Sequence, residues 1–294
     1  MADVLESIGT KPKTWLVEPD SGLWLFKASR VRAHEPSGED WAEKVASEIA
    51  KLLGVPHATI ELAHRSGTRG VISATFVAKE SYLVHGNELL SAKDIDYPQD
   101  ERSNDTPGYT IASIKEALKG VAKPDQQANE PAIPPEAEAF EWFAGYLVLD
   151  AWINNTDRHH MNWGVITPDN RLAPSFDHGS SLAFGETEAR RARLLGPEGT
   201  SAAEWLERGR AKPFQGMPSM ISVATEALER CSEVNRTGWI SRLEQVDLTV
   251  VDSIIDKVPE TGPSGTIMSD TARTLCKEIL RINRERLLNV IASH

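Results

Sequence analysis

The sequence predicts an α+β protein in two lobes, a small β-rich one followed by a larger, mainly helical one. Three observations predict it. The chain has 294 residues, too many for one small domain and suited to two lobes around a shared cleft. Residues 1–80 read as a strand hairpin, a helix and further strands. From Pro135 onward helical periodicity dominates, interrupted by one polar loop and one short hairpin. The division is drawn at 1–80 for the small lobe and 81–294 for the helical lobe.

The elements follow in order. KTWLV and LWLFK are apolar strands, and EPDSG between them supplies turn chemistry, so residues 13–27 form a hairpin. Ahead of it SIGTKPK is a loop. The segment SGEDWAEKVASEIAKLLG places Trp41, Val45, Ile49, Leu52 and Leu53 at helical spacing, and Gly54 ends a helix over 38–54. The strands ATIELA and GVISATFVA follow, joined by HRSGTR.

Residues 79–135 carry weaker signals. HGNELL is a short segment, ASIKEALKG a helix, and YPQDERSNDTPG a loop between them. AKPDQQANEPAIPP is a proline-rich connector. The segment PEAEAFEWFAGYLVLDAWI then puts Phe140, Phe143, Ala144, Leu147, Val148 and Ala151 on one helical face, with Pro135 at the helix start. WGVIT and LAPSF around PDN predict a second hairpin over 163–177. LTVVDSIIDKVP and DTARTLCKEILRINRERLLNVIAS close the chain as helices.

Composition narrows the function. With 40% hydrophobic and 26% charged residues the chain reads as globular and soluble. A net charge of -11 argues against broad nucleic-acid binding, which needs a basic face. Only Cys231 and Cys276 occur, so no disulfide framework is implied and a cytoplasmic setting fits. The start MADVLESIGTKPKTW lacks the pattern of a signal peptide, and no apolar run is long enough to predict a membrane span. G-x-S-x-G, Walker and G-x-G-x-x-G motifs are missing, which weakens hydrolase, P-loop and dinucleotide readings. His159 and His160 are neighbours and do not share a helical face, so zinc binding is not expected.

The informative stretch is NNTDRHHMNWGVITPDNRLAPSFDHG, with Asp157 and Asn162 between a helix and a strand and Asp177 after the hairpin. Phosphoryl transfer asks a protein for an oriented hydroxyl and for cations that neutralise phosphates. Mg²⁺ takes hard oxygen ligands and keeps several waters. An Asp-x-x-x-x-Asn loop offers a carboxylate for the hydroxyl and an amide oxygen for the metal, and the carboxylate after the hairpin completes the set. Any one of these residues alone is more often a capped loop or turn residue. Their joint occurrence after an apolar helix favours the chemical reading.

The same segment resembles the HipA-like kinases, whose catalytic loop reads N-T-D-x-H-x-x-N and whose metal aspartate follows L-x-P-x-x-D. This chain has NTDRHHMN and LAPSFD. The D-R-H-x-x-N run is also similar to the phosphoinositide kinases. The resemblance implies a kinase fold using ATP and Mg²⁺, with Asp157 as catalytic base, Asn162 and Asp177 as Mg²⁺ ligands, and His159 helping at the phosphates. It implies that SIGTKPKT, through Gly9 and Lys13, is a nucleotide loop one residue shorter than the family's, in which Ser7 falls on a serine that some members autophosphorylate. Lys27 takes the place of the lysine that grips the α- and β-phosphates. Its partner is a helix glutamate, Glu43, with Glu48 as the alternative. The segment HGSSLAFGETEARRARLLG falls where kinases bind substrate. Arg190, Arg191, Arg193, Arg208, Arg210 and Lys212 make that region basic, either to receive an acidic group or as a solvated face.

The resemblance implies a protein serine or threonine as acceptor. If it extends to biology, the protein is a bacterial toxin with an antitoxin partner. A kinase for a small molecule or lipid would use the same residues, and an ATP-binding pseudokinase is the reading outside catalysis.

Overall fold

The apolar runs at the start of the chain pair as antiparallel strands in a computed structural model that describes residues 4–6, 13–18, 22–32, 35–100, 103–125, 131–197 and 199–292. β1 (Val4–Glu6), β2 (Lys13–Glu18) and β3 (Gly22–Ala28) are followed by the two-residue strands β4 (Val31–Arg32) and β5 (Glu35–Pro36). Trp15 lies opposite Leu25 and Val17 opposite Leu23, the hairpin the sequence predicts. α1 (Glu39–Leu53) ends at Gly54, whose φ of 75° is the left-handed conformation that a C-terminal glycine supplies without strain.

β6 (Ile60–Arg65) and β7 (Thr68–Ala74) complete a five-stranded sheet of order β1-β2-β3-β7-β6. Ser66 and Gly67, both at positive φ (48° and 80°), make the tight turn that suits twisted strands. His64, Arg65, Thr68 and Arg69 therefore join the ladder, where the sequence reading gave them to a loop. α1 packs on β6 and β7 and buries Trp41, Val45, Ile49 and Leu53.

β8 (Tyr82–His85), α2 (Gly86–Ser91) and α3 (Ile111–Ala117) come next. α4 (Ala139–Ile153) leads to β9 (Gly164–Thr167) and β10 (Arg171–Leu172), which with β8 make a sheet of order β10-β9-β8. α5 (Glu188–Leu195), α6 (Ala202–Glu207), α7 (Met220–Glu229), α8 (Glu233–Gln245) and α9 (Leu248–Asp256) follow. A short hairpin, β11 (Thr261–Gly262) and β12 (Gly265–Thr266), precedes the last helix, α10 (Asp270–Ala292). None of the described helices is long and apolar enough to cross a membrane.

α4 departs from its prediction in two ways. It begins at Ala139 and not at Pro135, because Glu138 is the cap and the Glu141 carboxylate accepts from the Glu138 backbone N–H at 3.1 Å. It is also buried on every side: Trp142, Leu149, Trp152 and Ile153 are as hidden as the predicted stripe. α1, α7, α8 and α10 surround it. Trp239 of α8 fits against Gly145, where a Cβ would come within 2.2 Å of the indole.

The second hairpin is shorter than predicted. Ala173 makes the last bond to β9, its N–H donating to Gly164 O at 2.9 Å, and the chain then pairs with the small lobe. The Ser175 N–H donates to Pro56 O at 2.8 Å and the Ala58 N–H to Ser175 O at 2.9 Å. LAPSF is therefore largely a tether between the lobes. A second tether is the β11–β12 hairpin. Arg69 of β7 pairs with Asp40 of α1 and donates to the carbonyls of Thr266 and, at 3.0 Å, Ile267. Ser264 donates to Gly67 O at 3.1 Å.

Candidate active site

α4 ends at Asn154, whose φ of 55° turns the chain into the loop NTDRHHMN. Asp150, in the last turn of α4, is fully buried, and a buried carboxylate demands partners. Arg158 supplies them from Nε at 2.6 Å and Nη2 at 2.8 Å, and the Asn155 amide adds a third bond at 2.8 Å. Burial opposes the charge on Arg158, and the Asp150 carboxylate more than offsets it, holding Arg158 above its ordinary value. Its other donors reach Asn162 O at 2.6 Å, Phe176 O at 3.0 Å and the Ser175 hydroxyl at 3.1 Å. One guanidinium thus fastens the loop to the segment that delivers Asp177.

The loop is pinned from other sides as well. The Tyr109 hydroxyl donates to Arg158 O at 2.9 Å, and the Trp163 indole donates to Tyr109 at 3.0 Å. His160 is a core residue, 2.7 Å from the Tyr97 hydroxyl. His159 is buried, and its Nδ1 accepts from the Met161 N–H at 3.1 Å.

Three predicted residues converge here. The Asn162 side chain donates from Nδ2 to Asp157 O at 2.8 Å, which leaves its amide oxygen as the other end. Asp157 is half-buried, and its Oδ2 accepts from the Ser180 hydroxyl at 3.3 Å. Asp177 has a φ of 62°, and its Oδ1 lies 3.4 Å from the Lys27 ammonium. Lys27 comes from the end of β3, so the small lobe reaches the Asp177 segment directly.

The α1 carboxylates separate cleanly. Glu43 is buried, and its Oε1 accepts from the His178 N–H at 2.9 Å, next to Asp177. Glu48 lies in a different cluster, 2.8 Å from Lys44, which also meets Glu61 at 3.0 Å. His178 Nε2 meets the Ser175 hydroxyl at 2.8 Å. Burial, with Arg158 nearby, pushes His178 well below its ordinary value, so it stays neutral.

Above the site, Leu23, Leu25 and Lys27 alternate onto one face of the sheet, and Val17 lies opposite Leu23. Val17 and Leu23 are 49% and 36% exposed, so this face keeps an open apolar patch. Phe176 stacks on Phe76 at 5.5 Å and closes the patch against Ala58, Ile60 and Val71. Gly9 and Ser7 lie outside the described residues. Lys13 opens β2 directly opposite Lys27 in register.

The predicted basic region divides. Arg191 is buried, stacks over Trp41 at 5.6 Å and donates to Ala183 O and Phe184 O, so it holds the segment after Asp177 in place. Arg193, Arg208, Arg210 and Lys212 are exposed.

Among the described residues, no group of three His, Cys, Asp or Glu side chains is placed to hold a metal ion. Asn162 and Asp177 offer one amide oxygen and one carboxylate. That set fits Mg²⁺, which takes few protein ligands and shares its shell with phosphates and waters.

Sequence reasoning missed Asp150, Arg158 and Ser180. A signal for the first existed, since an acid near the end of an apolar helix needs a buried partner. Ser180 carried none, because its role depends on how the chain folds back after Asp177.

Comparison with known proteins identifies the family and the fold. The model of the HipA-like C-terminal domain matches residues 6–239. No curated protein matches significantly in sequence. Among solved structures the chain is similar to the Helicobacter pylori proinflammatory kinase CtkA, with a TM-score of 0.72 and 18% identity over 98% of this chain and 92% of that one. It is also similar to HipA in the Shewanella oneidensis toxin–antitoxin complex with HipB and operator DNA, with a TM-score of 0.53 and 13% identity over 99% of this chain and 67% of that one. The chain belongs to the HipA-like C-terminal domain family, and its fold is the two-lobed kinase-like fold of these neighbours.

Proposed function

We propose that this chain is an ATP- and Mg²⁺-dependent kinase that phosphorylates a serine or threonine of a protein. The observation that carries the reading is the convergence of Lys27, Asp157, Asn162 and Asp177. Residues 1–80 bring the lysine and residues 81–294 the other three. Bound ATP with Mg²⁺ would supply the phosphoryl group and neutralise its charge. Asn162 and Asp177 would hold the metal, and Lys27 would turn from Asp177 to the phosphates. The apolar patch of Val17, Leu23 and Leu25 suits a flat purine base. Asp157 would orient the acceptor hydroxyl and take its proton on a carboxylate oxygen. Gly9, Lys13 and His159 are assigned to the phosphates, and Glu43 to the support of the Lys27–Asp177 region.

The Shewanella HipA is part of a toxin–antitoxin system with HipB. By that likeness the protein partner here is an antitoxin, and growth arrest is the biological output. Cys231 and Cys276 are free thiols, which fits a reducing cytoplasm.

The test incubates the purified protein with γ-labelled ATP in a cell lysate, with and without Mg²⁺, beside Asp157→Asn and Asp177→Ala. Label on the chain or on one lysate protein, lost in both variants and without Mg²⁺, supports the reading. Measurable ATP binding with no protein labelled contradicts it, and points to a small-molecule or lipid acceptor or to a regulatory ATP-binding protein.

A further inference from the structure

We infer that Ser180 is a positioning residue for Asp157, fixing the carboxylate that faces the acceptor hydroxyl; the catalytic part of this inference rests on the function proposed above. The backbone of Asp157 is already held. Its N–H donates to the Asn155 side chain at 3.3 Å, and its carbonyl accepts from the His159 N–H and the Asn162 amide, both at 2.8 Å. The side chain turns about two torsions of its own. The Ser180 hydroxyl donates to Oδ2 at 3.3 Å and so favours the orientation that keeps this bond.

Ser180 can do this only because its own backbone is constrained. On one side, Gly179 is wedged against α1: a Cβ there would lie 3.0 Å from Glu43 Oε2 and 3.3 Å from Glu39 O. Just before it, the His178 N–H is held by Glu43 at 2.9 Å. On the other side, Leu182 and Ala183 sit at positive φ (53° and 56°), the left-handed conformation that residues other than glycine adopt only under strain. Several contacts enforce it. The Leu182 N–H donates to Ile153 O at 2.9 Å, Cys276 Sγ approaches Leu182 O, and Arg191 donates to Ala183 O. Strain kept by so many contacts belongs to a segment whose shape is needed. The route from α1 to Asp157 therefore runs through Glu43, the turn at 178–179 and the Ser180 hydroxyl. A shift of α1 would reach Asp157 by this route.

The experiment compares wild type, Ser180→Ala and Ser180→Thr in phosphate transfer, and solves the ligand-free crystal structures of wild type and Ser180→Ala. The inference expects kcat to fall about 10- to 100-fold in the alanine variant with KM for ATP unchanged, since a reacting group misplaced by a fraction of an ångström loses that much. Threonine keeps the hydroxyl and restores most of the rate. In the alanine crystal the Asp157 carboxylate leaves its wild-type position or splits between rotamers. Wild-type kcat in the alanine variant overturns the inference, as does a loss of rate accompanied by a raised KM. Phosphate found on Ser180 itself also overturns it, since the residue would then be an acceptor. If wild type transfers no phosphate, the proposed function fails, and the crystal comparison still decides whether Ser180 fixes Asp157.

Discussion

Arg158 grips Asp150 through Nε and Nη2 at 2.6 and 2.8 Å, and Arg69 grips Asp40 through the same two nitrogens at 2.7 Å each. Both pairs are buried, and both arginines also donate to backbone carbonyls beyond the ion pair. The difference lies at the far end. Arg158 binds Asn162 O and Phe176 O, close in sequence and inside the candidate site. Arg69 binds Thr266 O and Ile267 O, 197 and 198 residues away, and straps the small lobe to the β11–β12 hairpin. A buried ion pair adds little net stability, yet losing one partner is costly because the other charge is stranded. The same fork can therefore serve as the scaffold of a site or as a strap between lobes, and only its carbonyl partners tell which.

Replacing each arginine tests that distinction. Arg158→Ala carries the largest expected effect, about 3–5 kcal/mol in urea unfolding, because it strands Asp150 in the core. Phosphate transfer should be abolished with it, since both segments of the site lose their fastening. Comparable stability in the two proteins would break the comparison at its base.

Arg69→Ala should cost less, about 3 kcal/mol, since the strap lies nearer the surface. Assayed well below its unfolding midpoint, it should keep its transfer rate. A rate loss as deep as that of Arg158→Ala would mean that the strap is part of the catalytic apparatus.

His57 lies between the two regions, where residues 56–58 pair with Ser175. Its Nδ1 donates to Val55 O at 2.8 Å, and burial pushes it below its ordinary 6.5. The unfolded chain binds a proton there as pH falls through about 6.5, while folded His57 resists it. The stability that His57 contributes is complete above that pH and declines as pH drops toward its folded value. His57→Gln should flatten this part of the curve, a smaller effect than either arginine change. Identical slopes in the two proteins would show that His57 does not carry it.

Much of the fold is legible in the sequence where the signal is local. The β2–β3 hairpin, α1 with its Gly54 cap, and the terminal helices α9 and α10 form where periodicity and turn residues place them. The family and the two-lobed fold are carried by NTDRHHMN and LAPSFD. β8 is not legible, because YLVH becomes a strand only by pairing with β9. α4 is legible as a helix but not as an enclosed one, since the Trp239 that covers Gly145 is remote in sequence. Lys27, Asp157, Asn162 and Asp177 are legible as residues, and the contacts that join them are not. The partners of Arg158 lie on α4, in the loop and beyond the hairpin, and only the folded chain assembles them. The basic stretch after Asp177 is legible only in part for the same reason, since Arg191 turns inward onto Trp41 while Arg193, Arg208, Arg210 and Lys212 stay exposed.

The most direct test of the account measures transfer of labelled phosphate from ATP by wild type, Arg69→Ala and Asp157→Asn side by side at low temperature, with melting temperatures recorded for each. The account predicts transfer by wild type and Arg69→Ala. It predicts a rate about 10²- to 10⁴-fold lower for Asp157→Asn at an unchanged melting temperature. Transfer by Asp157→Asn at the wild-type rate would contradict it.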